Sequence, residues 1–301
     1  MSDSRVQVPF RFDVIKNYPQ RGPLRQYRLS AATGFECSRC AKSKKAKLVS
    51  VILDDWGRLL CNACYGRLLS LWEVKSGEST DEERHEEILS LLRGLSTGDQ
   101  VERSRKALLE RHGQAGLLSQ SALTMLATSE AVASGLALKA TELDWSAAII
   151  GLCKAVEIEA ARLVAEPLRR SVEGLDLSRD LHNRDTKRMA HFCSGSGNPP
   201  GLGALGYFLA AVGKQRRREK ESVLSVALRD LSRDWPNSEW LFEKNEDGFI
   251  KSVKRLAREY RNPAAHTELL TQEKYDSCNK MIQGEKGILW NLHTATRPYR
   301  K

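Results

Sequence analysis

Two cysteine pairs constrain the amino-terminal part of this chain more than any other feature. Cys37-Ser38-Arg39-Cys40 and Cys61-Asn62-Ala63-Cys64 stand twenty residues apart, a C-x2-C-x20-C-x2-C spacing. Four thiolates at this spacing can close a tetrahedral zinc site, the first pair on a turn and the second at a helix start. Such a site keeps no open coordination position, so one structural Zn2+ per chain is expected and no catalytic role for it. Between the pairs, Val49-Ser50-Val51-Ile52-Leu53 and Arg58-Leu59-Leu60 flank Asp54-Asp55-Trp56-Gly57, which predicts a β-hairpin. The chain has seven cysteines, which read as this site plus three spare thiols rather than as disulfides of an oxidising compartment.

Leu60-Cys61-Asn62-Ala63-Cys64-Tyr65 resembles the second knuckle of GATA-type treble-clef fingers, with a longer loop between the pairs than is usual there. Arg39, Lys42, Lys44, Lys45 and Lys47 make the first knuckle basic and suited to phosphate contact. Structural zinc modules also bind proteins, so DNA, RNA and a protein regulator are all open as partners of this one.

With 301 residues the chain can hold two modest domains. Apolar content of 41% and charged content of 29% match a soluble globular protein. No apolar stretch reaches the roughly 18 residues of a membrane span, and Met1-Ser2-Asp3-Ser4-Arg5 leads into no secretory core, so a cytoplasmic location without membrane partners is the default expectation. A net charge of +10 favours polyanionic partners such as RNA or DNA without choosing between them.

Four segments follow from the patterning. Residues 1–35 form a basic arm in which Val6, Val8, Phe10, Phe12 and Val14 alternate as a short strand, placed at a sheet edge by Pro9. Residues 36–76 hold the zinc module. Residues 77–140 read as a helical connector: Thr80 and Glu83 fit a capping box before Ile88, Leu89, Leu91 and Leu92, Ser96-Thr97-Gly98-Asp99 stops that helix, and two more follow. Periodicity equally allows residues 80–140 to pack with what comes next. Residues 141–301 form the larger helical domain, in which Pro167 should bend or end a helix running from Leu143. Trp235, Trp240 and Phe242 read as core anchors. His182, His191 and Cys193 read as loop and cap residues without ligand spacing. Arg216, Arg217 and Arg218 lie in a basic run that is either a solvated face or a phosphate contact.

Late in this domain Phe249, Val253, Leu256 and Tyr260 recur at helical spacing, with Lys251, Lys254, Arg255, Arg258 and Glu259 on the opposite face. The run ends in Arg261-Asn262-Pro263-Ala264-Ala265-His266. A guanidinium can hold phosphate oxygens and an imidazole can move protons near neutral pH. Five residues on an ideal helix set them roughly 140° apart. Pro263 is expected to bend the chain between them, or to start a new helix with Asn262 as its N-cap.

This R-N-x-x-x-H pattern on a basic amphipathic helix resembles the signature of HEPN-domain ribonucleases. Asp144-Trp145-Ser146 with Ile150 to Glu159 resembles the first long helix of that superfamily, and Gly201-Leu202-Gly203-Ala204-Leu205-Gly206 is a weaker third point. The resemblance covers about residues 141–295. It implies a mainly α fold, an HEPN-like bundle with the zinc module ahead of it. The implied activity is a metal-independent endoribonuclease, with Arg261, Asn262 and His266 as the catalytic set. Cleavage would proceed by 2′-hydroxyl attack to a 2′,3′-cyclic phosphate, in a homodimer that unites two motifs, with a toxin-like or phage-defence role. Lys254, Arg258, Arg216, Arg217 and Arg218 then become RNA contacts beside Arg39, Lys42, Lys44 and Lys45. The alternative is a zinc-finger nucleic-acid-binding regulator whose helical domain dimerises without catalysis, Arg261 pairing with a carboxylate such as Glu259 or Glu268.

Overall fold

The computed structural model describes residues 11–38, 42–52, 54–76, 81–137, 144–214, 222–243, 245, 247–265 and 269–296. It is 65% helical with one small antiparallel sheet near the amino terminus, in line with the mainly α class. No helix among the described residues is long and apolar enough to cross a membrane.

Strands β1 (Val14–Asn17), β2 (Leu24–Glu36), β3 (Ser43–Ile52) and β4 (Asp55–Leu60) form a meander in chain order. The predicted hairpin is β3–β4. It turns at Asp54, whose φ of 57° is a left-handed conformation that a short polar side chain tolerates. Residues 24–36, within the segment read as a basic arm, are the longest strand and pair with β3 from Leu24↔Ile52 to Glu36↔Ser43. Their alternation was hidden because Leu24, Tyr27 and Leu29 point inward at uneven spacing and a register shift follows Arg28. Val6, Val8, Pro9 and Phe10 lie outside the described residues. One sheet face holds a small core of Phe12, Tyr27, Leu29, Val49, Val51, Trp56 and Leu59. The other contributes Leu24, Ile52 and Leu60 to the main core, together with Leu68 and Leu71 of α1 (Asn62–Ser76). Gly22, at φ +56°, lies beneath Trp72 of α1, where a Cβ would come within 2.3 Å of the indole nitrogen, so the turn requires glycine.

Helices α2 (Asp81–Gly94), α3 (Gly98–Arg111) and α4 (Gln120–Ala137) follow, with Ile88, Leu89 and Leu92 inward as their period predicts. Thr80 is outside the described residues. Thr97, read as a stop signal, also opens α3 through a capping box with Gln100. Next comes α5 (Ser146–Ala160), buried along most of its circumference, which makes it the axis of the molecule. A π turn, Ala161–Ala165, carries it into α6 (Glu166–Ser171), so Pro167 does not end this helix. The Glu166 N–H bonds the Ala161 carbonyl five residues back, and the wider turn makes room for the proline ring. Short α7 (Ser178–His182) and α8 (Lys187–Cys193) precede α9 (Leu202–Lys214), α10 (Val223–Leu231) and α11 (Ser238–Phe242). A second jointed helix runs through α12 (Phe249–Arg255), the π turn Leu256–Arg261 and α13 (Asn262–Ala265), before α14 (Gln272–Gln283) and α15 (Ile288–Thr296). Trp235 and Trp240 are core anchors as predicted, Trp240 lying 5.1 Å from the Phe249 ring.

Glycine at 151 lets three helices meet. A Cβ there would stand 2.8 Å from Leu92 Cδ2 of α2 and 3.2 Å from Ser129 Cβ of α4. The helices of residues 81–137 therefore share one core with those after residue 144. A buried ion pair also crosses the junction with α1. Lys75 Nζ lies 2.9 Å from Asp144 Oδ2 and 2.8 Å from Ser146 Oγ, while Asp144 Oδ1 accepts from the backbone N–H of Ser146 at 3.0 Å and of Leu270 at 3.3 Å. Breaking it leaves an uncompensated buried charge. Asp144→Ala is expected to cost about 3–5 kcal/mol in denaturant unfolding, and Lys75→Met with Asp144→Asn, which keeps an acceptor for the Ser146 and Leu270 N–H groups, to recover much of that loss.

A second buried network closes the far end of α5. Glu159 accepts from the Ser119 N–H at 2.9 Å, from Arg162, and from His293 Nε2 of α15 at 2.7 Å. Burial opposes the charged carboxylate, but the donors from His293, Arg162 and Ser119 outweigh it and hold the group at about 2, below its ordinary 4.5. A depressed carboxylate contributes stability that is present above pH 4.5 and lost as pH falls towards 2. Melting temperature measured across that window should fall more steeply in wild type than in Glu159→Gln.

Candidate nucleic-acid site at Arg261

The apolar stripe Phe249, Val253, Leu256 and Tyr260 is buried, which turns Lys251, Arg255 and Arg258 outward and presents Arg261 to α5. The π turn sets that register. The Asn262 N–H bonds the Ala257 carbonyl five residues back, and Asn262 has helical φ and ψ of −67° and −49°. Asn262 is therefore not an N-cap, and Pro263 neither breaks the helix nor starts one. As at Pro167, a π turn ends two residues before the proline and the helix passes through it.

Arg261 Nε lies 2.9 Å from Glu157 Oε1 of α5, with the two side chains 20% and 12% exposed. The partner is thus Glu157 and not Glu259, which bonds Arg255 and Arg258 at 2.8 Å each on the outer face. Hydrogen bonds from Arg258 and Arg255 hold the Glu259 carboxyl below its ordinary range. Glu157 also takes the Leu202 N–H at the start of α9 at 3.4 Å, and Lys154 stands 3.7 Å away. Gly201 closes against this pair, where a Cβ would come within 3.3 Å of Glu157 Oε1 and 3.4 Å of Arg261 Nη2. The weakly marked glycine turn thus serves close approach to an ion pair.

Arg261 and Asn262 lie on the wall of a cleft of about 890 Å3 between α5, α8, the loop before α9 and the π turn. Lys154, Lys187, Arg188 and His191 line it as well, against Glu86 and Glu157, so cations outnumber carboxylates. Loop position had suggested a cap role for His191. In the fold it is a cap residue, its carbonyl accepting from the Ser194 and Ser196 hydroxyls, and its Nδ1 also sits 3.2 Å from Ser196 Oγ at the cleft edge, a position that its sequence context does not show. Cys193 is buried, which pushes its thiol up to about 12. His266 and Glu268 lie outside the described residues, as do Arg216, Arg217 and Arg218.

In the cysteine-bearing module, Cys37, Cys61 and Cys64 are buried with their sulfurs all within 4.8 Å of one another, a group that could hold a metal ion. The Cys61 N–H donates to Cys37 Sγ at 3.3 Å, a contact suited to a thiolate. Cys61 and Cys64 open α1 while Cys37 sits on the β2–β3 turn, where its N–H bonds the Lys42 carbonyl at 3.0 Å. Cys40 and Arg39 are outside the described residues. Lys42, Lys44 and Lys45 are exposed, but strand alternation sends Lys44 and Lys45 to opposite faces of β3, so they do not form one basic face. No other group of His, Cys, Asp or Glu gathers in this way among the described residues.

Comparison with family models, with curated proteins and with solved structures returns no match to this chain, so the reading of the cleft rests on its own geometry. Glu157→Ala should free the Arg261 Nε–H from its acceptor. In NMR exchange measurements that Nε–H, slow in wild type, is expected to become fast, with a loss of about 1–3 kcal/mol in stability.

Proposed function

We propose that this protein is an HEPN-type endoribonuclease that cuts RNA at a site built on Arg261, Asn262 and His266, with one structural zinc ion on Cys37, Cys40, Cys61 and Cys64. The observation that carries the reading is the placement of Arg261 and Asn262, consecutive residues of the motif, on the wall of a concave cleft rich in cations. A concave basic surface concentrates field lines and draws a polyanion. Glu157 fixes the plane of the guanidinium through Nε, and a fork so oriented suits the non-bridging oxygens of a phosphate. The ribose 2′-oxygen would attack the adjacent phosphorus in line, breaking its bond to the 5′-oxygen of the next nucleotide, with Arg261 stabilising the charge on the phosphate and His266 taking the 2′-hydroxyl proton or giving one to the leaving 5′-oxygen. The nucleophile belongs to the substrate, so DNA is not cut. A homodimer joining two motifs, and a toxin-like or phage-defence role, belong to the same proposal. The zinc ion would pin the β2–β3 turn to α1 and take no part in the reaction.

The Arg261–Glu157 pair also favours a second reading, because a guanidinium held by a carboxylate can be purely structural. In that case the helical part binds or dimerises without cutting. Incubation with mixed RNA in excess EDTA separates the two. Wild type is expected to leave 2′,3′-cyclic phosphate ends, while His266→Ala and Arg261→Ala slow cleavage by a factor on the order of 100 to 10,000. Intact RNA with wild type supports the second reading. Elemental analysis of the purified protein should find zinc, with loss of the metal and a lower melting temperature in Cys61→Ser.

A further inference from the structure

At one end of the Arg261 cleft, α9 and α12 come close enough that a Cβ on Gly206 would stand 3.0 Å from Lys254 Cγ and 3.1 Å from Val253 Cγ2. The next residue, Tyr207, is 60% exposed, although the apolar run from Leu205 to Val212 predicts a packed helix. Lys254 Nζ lies 4.8 Å from the centre of its ring. Neither residue lines the cleft itself, but each lies one helical turn beyond residues that do. Gly203 and Ala204 line it, and Tyr207 follows them by one turn on the same face of α9. Ala257 and Arg261 line the other side, and Lys254 precedes Ala257 by one turn. From Arg261 to Lys254 the rise is roughly 10 Å, a span of a few nucleotides.

An exposed ring beside an ammonium offers a π face to a base and a cation to the adjoining phosphate. We propose that Tyr207 and Lys254 form a nucleotide subsite at the end of the Arg261 cleft. An unpaired base stacks on Tyr207, Lys254 meets the phosphate beside it, and the groove takes single-stranded in preference to duplex nucleic acid. Bases inside a duplex are already stacked on each other and cannot reach such a ring. This rests on the cleft being a nucleic-acid site and does not need cleavage.

The test is fluorescence anisotropy with a labelled 2′-O-methyl RNA oligomer, which lacks the 2′-hydroxyl nucleophile, as a single strand and as a duplex. Wild type should prefer the single strand. Tyr207→Ala should weaken binding about 5- to 150-fold and Tyr207→Phe by no more than about 2-fold, since stacking needs only the ring. The salt slope should stay unchanged in Tyr207→Ala and drop by about one in Lys254→Ala. Equal binding by wild type and Tyr207→Ala overturns the subsite, as does a wild-type preference for duplex. So does a shift from dimer to monomer in Tyr207→Ala, which would make the ring a protein interface. Failure of wild type to bind either form overturns the subsite and the ribonuclease reading together. Tyr207-dependent binding without any RNA cleavage keeps the subsite and removes only the catalytic reading.

Discussion

The arrangement depends on one buried contact, the pair between Lys75 and Asp144. Asp144 uses Oδ2 for the last turn of α1 and Oδ1 for the start of α5 and for Leu270, so a single carboxylate joins three separate stretches of chain. Its side chain is 7% exposed and that of Lys75 is 2%. Desolvating two charges this far is expensive, and such a pair adds little net stability over a well-packed apolar one. What it supplies is orientation, because only one placement of α1 on α5 satisfies both ions. The cysteine-bearing module, the axial helix and the segment just after the Arg261 motif are thereby held in one frame.

Around α5 the same economy recurs. Gly151 lets α2 and α4 approach, Glu159 gathers three donors at its far end, and Glu157, between them, turns outward to Arg261. Residues 157 and 159 are both glutamates on one helix, yet one is enclosed by hydrogen-bond donors and the other faces a cleft. Environment separates them where residue type does not.

The two π turns show how backbone chemistry reaches the site. Each ends two residues ahead of a proline, and each lets a helix continue where an α-helix would lose a hydrogen bond and meet the ring. At Leu256–Arg261 the added residue changes the register of everything after it, so the tail of the amphipathic run meets α5 and does not face solvent. Arg261 is the side chain this brings to Glu157, while Arg255 and Arg258 stay on the outer surface with Glu259.

Much of this was legible along the chain, because it is local. The cysteine spacing marks the knuckle and helix start where Cys37, Cys61 and Cys64 converge, and a period of 3.6 marks the buried stripe from Phe249 to Tyr260, while the hairpin forms where expected but turns only at Asp54, with Asp55, Trp56 and Gly57 opening β4. The pairing of β2 with β3, the passage of both helices through their prolines, the choice of Glu157 over Glu259 for Arg261, the arrival of His191 at the cleft and the exposure of Tyr207 were not legible. Propensity and periodicity report which face of an element is apolar. Which distant charge that element meets, and which turn it bends through, depends on how helices far apart in sequence pack around α5, and that only the tertiary structure decides.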